Sequence, residues 1–249
     1  MDLALEGSVA LVTGASKGIG RGIAEALLRE GATVAVASRS RERIEATAAE
    51  IGAEPFVFDS GDVDGAPWLV RNLEERLGPL DVLVTNTGGP PAGADALSFT
   101  REQWEVAYHD LVLAPMALIQ AAVPGMRERG FGRIVNVSST AVREPIGALM
   151  LSNSHRAATL AAFKTLARQL AGDGITLNTL LTGRIATDRI ADMHGGMENA
   201  ERVAADEVPA GRLGTVEEFA AVAAFLCSGP ASYVTGEAIR VDGGMTRAV

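Results

Sequence analysis

The chain alternates short apolar runs, rich in β-branched residues, with longer stretches in which apolar positions recur at helical spacing. Several short runs are apolar at nearly every position, which is typical of strands covered on both faces of a parallel sheet. The longer stretches are typical of helices that cross from one strand to the next. The pattern predicts strands at Ser8–Thr13, Thr33–Ser38, Pro55–Asp59, Asp81–Thr85, Arg133–Ser138, Ile175–Leu180 and Ala238–Val241. We therefore expect an α/β fold with a doubly wound, Rossmann-type parallel sheet of about seven strands and helices on both faces.

Residues 1–249 are expected to form a single domain. No linker, repeat or shift in composition divides the chain, and 47% hydrophobic residues are enough for one large core. Residues 183–211 differ from the rest, because they combine Gly195-Gly196 with many charges and weak periodicity. We expect this segment to be a mobile flap over a substrate site.

Charge and cysteine content exclude several classes of protein. The formal net charge is -9 and no run of Lys or Arg is present, which argues against a nucleic-acid partner. No signal peptide and no apolar run of about 18 residues is visible, so we expect a soluble cytoplasmic protein without a membrane partner. Cys227 is the only cysteine and is expected to be a buried, inert thiol. The acidic loop at residues 59–65 lacks the ligand pattern of a calcium loop, so no metal is expected.

A glycine-rich turn directly follows the first predicted strand and leads into a helical pattern. Glycine at these positions permits a tight turn and the close approach of a pyrophosphate to free N–H groups at a helix N-terminus. The spacing G-x-x-x-G-x-G differs from the G-x-G-x-x-G fingerprint, so the position after the first strand carries most of the inference. The turn predicts a dinucleotide site formed by Gly14, Ser16, Lys17, Gly18, Ile19 and Gly20.

The end of the second predicted strand bears on which dinucleotide is bound. A site that prefers NAD would place an acidic residue there, whereas this chain has Ser38 and Arg39. A guanidinium is well shaped to bind a phosphate through two hydrogen bonds, so Arg39, with Ser38 and Lys17, predicts a site for the 2′-phosphate of NADP(H). A solvated loop arginine is the alternative interpretation.

Two further loops are candidates for cofactor contacts. Asp59 could accept a hydrogen bond from the adenine amino group, although a turn aspartate is an equally simple explanation. Asn86 and Gly88 follow the fourth predicted strand, where the backbone would pass close to a ribose. A glycine pair at Gly88-Gly89 is also compatible with an ordinary turn.

These motifs, together with residues 132–139, 182–187 and 241–244, occur in the order seen in the short-chain dehydrogenase/reductase family. The chain resembles that family over nearly its whole length, and within it most closely the 3-oxoacyl-carrier-protein reductases. The resemblance implies an NADP(H)-dependent oxidoreductase that transfers hydride between a carbonyl and an alcohol, with a small-molecule carbonyl compound or thioester as substrate. It also implies a cofactor contact from Thr187 and a homotetramer.

The catalytic set of that family consists of a Ser, a Tyr, a Lys and an Asn, and only the first is present. Ser139 matches the Ser, although a turn or capping hydroxyl would also explain it. At the family's usual spacing, Ser152 stands at the Tyr position, Arg156 at the Lys position and Leu111 at the Asn position. We expect Ser139 to orient the substrate and Arg156 to hold the cofactor ribose or an anionic substrate, with the proton donor, a water among the candidates, left open.

The three histidines do not replace the missing acid in this interpretation. His155 lies one residue before Arg156, which turns it about 100° around the helix. We expect it, and equally His109 and His194, to point outward or to lie between subunits. Pro115 removes the N–H that would bond to the carbonyl of Leu111, and the resemblance suggests that a relay water could bind there, although a tolerated kink in the helix is an equally simple explanation.

Two functions therefore remain open. The first is an NADP(H)-dependent oxidoreductase with an atypical active site. The second is a catalytically degenerate protein that binds the cofactor in a regulatory or scaffold role. The glycine-rich turn predicts cofactor binding in both cases, whereas Ser152, Arg156 and Leu111 favour the second.

Overall fold

The computed structural model describes residues 1–249 and contains all of the predicted strands. They form one sheet of seven strands in the order β3-β2-β1-β4-β5-β6-β7, and every neighbouring pair is parallel. The strands are β1 (Val9–Thr13), β2 (Thr33–Ser38), β3 (Glu54–Val57), β4 (Leu80–Thr85), β5 (Gly132–Ser139), β6 (Ile175–Thr182) and β7 (Ala238–Val241). The predicted doubly wound fold is confirmed, with strand ends that differ from the prediction by at most a few residues.

Nine helices connect and cover these strands. They are α1 (Gly18–Arg29), α2 (Arg41–Ile51), α3 (Ala66–Leu77), α4 (Arg101–Tyr108), α5 (Ala114–Arg129), α6 (Met150–Leu170), α7 (Asp188–His194), α8 (Met197–Glu207) and α9 (Val216–Leu226). Helices α1, α2 and α9 contribute to the hydrophobic core on one face of the sheet, and α3, α5 and α6 to the core on the other face.

Both faces of the sheet are buried, which explains why the strands are apolar without a break. Within β1, Ala10 and Val12 belong to one core, whereas Val9 and Leu11 belong to the other. Successive side chains of a strand point to opposite faces, so a strand covered by helices on both sides needs apolar residues at every position. Cys227 is buried in the first core, as expected for an inert thiol, and burial raises the pKa of its thiol to about 12.

The helical stretch Arg101–Arg129 is interrupted by a π-helical turn at His109–Leu113. This turn ends just before Pro115, which lacks an N–H and whose ring would clash with a carbonyl in a regular helix. The stretch is the one helix with the length and apolar character to cross a membrane. Its apolar side chains in α5 pack against the second face of the sheet, and core burial accounts for that character.

The strand order reverses between β1 and β4. The first crossover leads from β1 outward to β2 and β3, whereas the chain then returns to β4 on the other side of β1. The loops that follow β1 and β4 therefore separate at the carboxyl ends of the strands and leave a crevice between them. The fold places the candidate site there.

Truncation of a central core leucine tests this description of the sheet. Leu83 of β4 is fully buried, so we expect Leu83→Ala to lower the free energy of unfolding by about 2–5 kcal/mol. Leu97→Ala is the matched control, because Leu97 is 92% exposed and its loss should change stability by less than about 0.5 kcal/mol. Urea unfolding followed by circular dichroism measures both, and equal effects would contradict the assigned core.

Candidate active site

A cleft of about 1140 Å³ opens at the carboxyl ends of the strands. Its walls come from the glycine-rich turn after β1, the ends of β2, β4, β5 and β6, helix α7 and the C-terminal residues Met245 and Thr246. The volume exceeds that of a typical site for one small ligand, so a dinucleotide and a small substrate can share it. Of the predicted site residues, the cleft is lined by Gly14, Ser16, Lys17, Gly18, Ile19, Ser38, Arg39, Asn86, Gly88, Ser139, Ser152, Arg156 and Thr187.

The glycine-rich turn leaves backbone donors free at the start of α1. Gly14 adopts a φ of 57°, in the left-handed region that favours glycine. Gly20 does not line the cleft; a Cβ there would collide with the carbonyl oxygen of Gly14, so glycine permits the turn to pack on its own helix. Lys17 precedes α1 and its side chain does not cap the helix. The first N–H groups of α1 therefore fit the pyrophosphate of a dinucleotide.

Asn86, at the end of β4, fastens the glycine-rich turn in place. Its N–H donates to Thr13 Oγ1 over 2.9 Å, and the same hydroxyl donates to the carbonyl oxygen of Asn86 over 2.8 Å. The Asn86 side-chain amide donates to the Gly14 carbonyl oxygen over 3.1 Å. The side chain of Asn86 is thus used to hold the turn. The backbone that follows Asn86, including Gly88, lines the cleft.

The end of β2 presents cations that no carboxylate neutralises. Arg39 lines the cleft beside Ser38, and Arg43 from the first turn of α2 lines the same region. Neither arginine forms a salt bridge. Sequence analysis missed Arg43, although its spacing of i+4 from Arg39 at a helix start is a usable signal. This pair of free guanidinium groups fits an added phosphate on the adenosine ribose.

Two of the predicted cofactor residues are engaged elsewhere. The ammonium group of Lys17 lies 2.9 Å from Asp188 Oδ2, which joins the glycine-rich turn to helix α7 rather than to Arg39. Asp59 is exposed and does not line the cleft; its Oδ1 accepts from the N–H of Gly61 over 3.0 Å. The structure therefore gives Asp59 the geometry of a turn aspartate.

Ser139 ends β5 at the opposite end of the cleft. Its Oγ accepts from the N–H of Ala141 over 3.1 Å, so it makes the turn contact that was the alternative to a catalytic role. The same hydroxyl group has a proton to donate and lines the cleft. The turn contact fixes the position of the Ser139 oxygen and leaves its donor available to a ligand.

Ser152 and Arg156 lie on the same face of α6, as their spacing predicts. The Nε of Arg156 donates to Ser152 Oγ over 3.2 Å, and its Nη1 donates to the Val137 carbonyl oxygen over 2.9 Å. Burial lowers the pKa of the Arg156 guanidinium to about 10, and the positive charge of Arg189 contributes to the shift. Arg156 remains protonated at neutral pH and thus supplies a fixed charge to the cleft.

The carbonyl group that Pro115 deprives of its helical partner has another donor. The hydroxyl of Thr159 donates to the Leu111 carbonyl oxygen over 2.6 Å, inside the contact between α6 and the π-helical turn. The Thr159 hydroxyl occupies one of the two acceptor positions of this oxygen, and the relay water stays a prediction. Long-range packing of α6 decides this contact, and the sequence near Pro115 does not reveal it.

The prediction that His155 points outward or lies between subunits is wrong. His155 is buried; its ring centroid lies 5.2 Å from that of Trp104 and 6.1 Å from that of Tyr108, and its Nδ1 lies 2.7 Å from the Leu151 carbonyl oxygen. It does not line the cleft, because α4 covers this side of α6. The aromatic spacing along α4 could have indicated this contact.

His194 also differs from the prediction, because α7 folds over the cleft and brings it to the wall. Its Nε2 lies 2.7 Å from Nη1 of Arg184. Since a guanidinium only donates, this contact requires Nε2 of His194 to be the acceptor. Arg184 in turn pairs with Glu207.

The C-terminal residues close the substrate end, a feature that sequence analysis missed. Glu144 Oε1 accepts from the N–H groups of both Arg247 and Ala248 over 2.6 Å. This contact holds the tail beside the cleft and places Met245 and Thr246 in its wall.

A parallel sheet with a glycine-rich turn at its switch point and polar side chains at the ends of β5 and α6 defines a dinucleotide-dependent oxidoreductase fold. A family profile described as Enoyl-(Acyl carrier protein) reductase matches residues 14–246. The chain belongs to the short-chain dehydrogenase/reductase family and resembles its 3-oxoacyl-carrier-protein reductases.

Three relatives illustrate the similarity. The 3-oxoacyl-[acyl-carrier-protein] reductase FabG of Vibrio harveyi is 34% identical over 246 residues, which cover 97% of this chain and 98% of the relative. The NADPH-dependent reductase BacG of Bacillus subtilis is 35% identical over 265 residues, with 96% and 98% covered. The crystal structure of L-sorbose reductase from Gluconobacter frateurii, complexed with NADPH and L-sorbose, superposes with a TM-score of 0.93 at 30% identity and covers both chains completely (100%).

A methyl group at Gly20 tests the role of the glycine-rich turn. Gly20→Ala should displace Gly14 and raise the dissociation constant of NADPH by about 10-fold or more, since loss of one good hydrogen bond is worth about 1.4 kcal/mol. Gly172→Ala is the control, because no atom lies within 4 Å of the added Cβ. Titration by NADPH fluorescence gives both constants, and an unchanged value for Gly20→Ala would refute the close contact.

Proposed function

We propose that the protein is an NADP(H)-dependent oxidoreductase that reduces a small carbonyl compound by hydride transfer, as its resemblance to 3-oxoacyl-carrier-protein reductases suggests. One observation carries this proposal. A single cleft has a glycine-rich turn and unpaired arginines at one end, and Ser139, Ser152 and Arg156 at the other. The NADPH-dependent reductases among the relatives support the choice of cofactor.

Each part of the cleft has a role in holding the cofactor. The free N–H groups at the start of α1, with Ser16 and Ile19, bind the pyrophosphate. Ser38, Arg39 and Arg43 bind the 2′-phosphate. The backbone near Gly88 lies along the ribose. The remaining cofactor contacts come from Asn86, which holds the turn, Thr187, which lies opposite Gly18, and Arg156.

The bound cofactor supplies the hydride, and the chain positions the carbonyl group that receives it. Ser139 donates a hydrogen bond to the carbonyl oxygen and stabilises the negative charge that develops there, while Arg156 adds a fixed positive charge to the same end of the cleft. Ser152 is too weak an acid to serve as tyrosine does in the family, and it accepts a hydrogen bond from Arg156. We propose that water in the open cleft delivers the proton to the oxygen as the hydride reaches the carbon.

Residues 183–211 are proposed to form the flap that covers the substrate. They contain the short helices α7 and α8, and α7 is tied to the glycine-rich turn by the pair Lys17–Asp188. Opening of that pair would release one end of the flap without unfolding the sheet.

We further propose that the protein is cytoplasmic and forms a homotetramer of single-domain subunits. The exposed side chains of Val106 and Tyr108 on α4 are apolar surface that such a tetramer would bury.

A cofactor-binding protein without turnover is the second candidate. The observation that favours it is the replacement of the family's Tyr, Lys and Asn by Ser152, Arg156 and Leu111 in a cleft that still fits the cofactor. Tight binding of NADPH with no consumption on any carbonyl compound would support it over the reductase.

The choice of cofactor depends on the two unpaired arginines at the end of β2. The double variant Arg39→Ala/Arg43→Ala should raise the dissociation constant of NADPH by about 10- to 100-fold, because charge-assisted hydrogen bonds to a phosphate contribute about 1.5–3 kcal/mol. Binding of NADH should stay within a factor of about 2, as it lacks the phosphate. Arg41→Ala is the matched control, since Arg41 is exposed, pairs with Glu45 and does not line the cleft. An equal loss for both cofactors would rule out a 2′-phosphate site.

Restoring two family residues tests whether the cleft is built for a carbonyl group. Ser152→Tyr/Arg156→Lys should increase kcat/KM for NADPH-dependent ketone reduction by about 10-fold, since general acid catalysis typically contributes about 10²- to 10⁴-fold. Recovery should be partial because Leu111 remains at the Asn position. Consumption of NADPH over a panel of ketones and acetoacetyl thioesters provides the measurement. No activity in either protein, on every compound, would count against the reductase and for the second candidate.

A further inference from the structure

The cleft contains two further cations that form no salt bridge with a carboxylate. Arg156 and Arg189 both line it, and neither forms a salt bridge. The carboxylates that line the same cleft are all engaged by other donors: Asp110 by Ser60, Asp188 by Lys17, Glu207 by Arg184, and Glu144 by the N–H groups of the C-terminal tail. Neither arginine therefore has a carboxylate partner within the protein.

Both arginines retain donors for a ligand. Arg156 uses Nε for Ser152 and Nη1 for Val137, and its Nη2 makes no hydrogen bond within the protein. Arg189 extends from α7 across the cleft to the loop after β4, where it donates to the carbonyl oxygens of Gly89 over 3.3 Å and Pro90 over 3.4 Å. These distances are long for N–H···O hydrogen bonds, so an oxyanion would compete for the same donors with ease.

The two guanidinium groups also repel each other. The pKa of Arg156 is lowered by burial and, in addition, by the charge of Arg189. Arg156 is half-buried whereas Arg189 is exposed. An anion bound by both groups would offset their repulsion.

We propose that the substrate carries a carboxylate group, and that Arg156 and Arg189 bind it while Ser139 holds the carbonyl group to be reduced. This inference rests on the proposed function and narrows it to oxo acids. It assigns Arg189, at the start of the flap, a role in substrate specificity that the family resemblance does not give it. Binding of the carboxylate would hold α7 in its position over the cleft, because Arg189 belongs to that helix.

The diphosphate of the cofactor is also an oxyanion that Arg189 could bind. The experiment therefore distinguishes a substrate carboxylate from the cofactor diphosphate as the ligand of this arginine. Arg189→Gln removes the charge and keeps most of the side chain. The matched control is Arg202→Gln, because Arg202 is exposed on α8 and does not line the cleft. For each protein, the dissociation constant of NADPH is measured first, and kcat/KM is then compared for oxo acids and their methyl esters, with acetoacetate and methyl acetoacetate as the first pair.

The wild-type protein and Arg202→Gln should prefer the acid over the ester by about 10-fold or more, as expected for a charge-assisted hydrogen bond. Arg189→Gln should lose that preference through a higher KM for the acid, while its NADPH constant and its activity on the ester change by less than about 3-fold. A preference for the ester in the wild-type protein would overturn the inference. The inference would also be overturned if Arg189→Gln bound NADPH more weakly but kept the preference for the acid, because Arg189 would then bind the cofactor and not the substrate.

A binding measurement keeps the inference testable if no compound is turned over. Succinate and dimethyl succinate, which NADPH does not reduce in this reaction, are titrated by calorimetry into the NADPH complex. Succinate should bind to the wild-type protein and to Arg202→Gln, and about 10-fold more weakly to Arg189→Gln, whereas the diester should show no such difference. Succinate binding without turnover of any oxo acid would refute the reductase but retain the carboxylate site. Equal binding of succinate to all three proteins would refute the site.

Discussion

The contact between the ends of β1 and β4 is the interaction on which the cleft depends. The hydroxyl of Thr13 both donates to and accepts from the backbone of Asn86, and the Asn86 amide then holds the Gly14 carbonyl oxygen. These two strands lie where the strand order reverses, so their loops diverge immediately beyond this contact. The geometry requires glycine at Gly14, because an added Cβ would lie 2.5 Å from the Asn86 carbonyl oxygen. One small set of hydrogen bonds therefore sets both the shape of the turn and the opening of the crevice.

Charge in the cleft is distributed differently from charge on the whole chain. The protein carries a formal net charge of -9. Each carboxylate that lines the cleft nevertheless accepts a hydrogen bond from a hydroxyl, an ammonium, a guanidinium or backbone N–H groups of the chain. Unpaired arginines remain at both ends. A crevice with low-dielectric walls concentrates the field of such groups, so an overall acidic protein can attract ligands that are anionic at two separate positions. A phosphorylated dinucleotide and an oxo acid fit that arrangement.

The reactive end of the cleft retains groups that position a ligand and lacks a titrating acid from the family set. Arg156 keeps its charge at neutral pH, Ser152 accepts from it, and the Leu111 carbonyl oxygen is satisfied by Thr159. Buried polar groups need such partners, because an unsatisfied one costs about 1–3 kcal/mol. The substituted residues are thus compatible with one another, because Arg156, Ser152 and the Leu111 carbonyl group each have a hydrogen-bond partner within the chain.

The sequence by itself determined the strands, the position of the glycine-rich turn and the shared helix face of Ser152 and Arg156, because these follow from local periodicity and from backbone freedom at glycine. Tertiary structure decided which distant side chains enter the cleft. Arg189 and His194 reach it only because α7 folds back over the strand ends, and His155 is buried only because α4 packs on α6. The packing of one element on another depends on the summed burial of surfaces far apart in sequence, and no local pattern of residues contains that information.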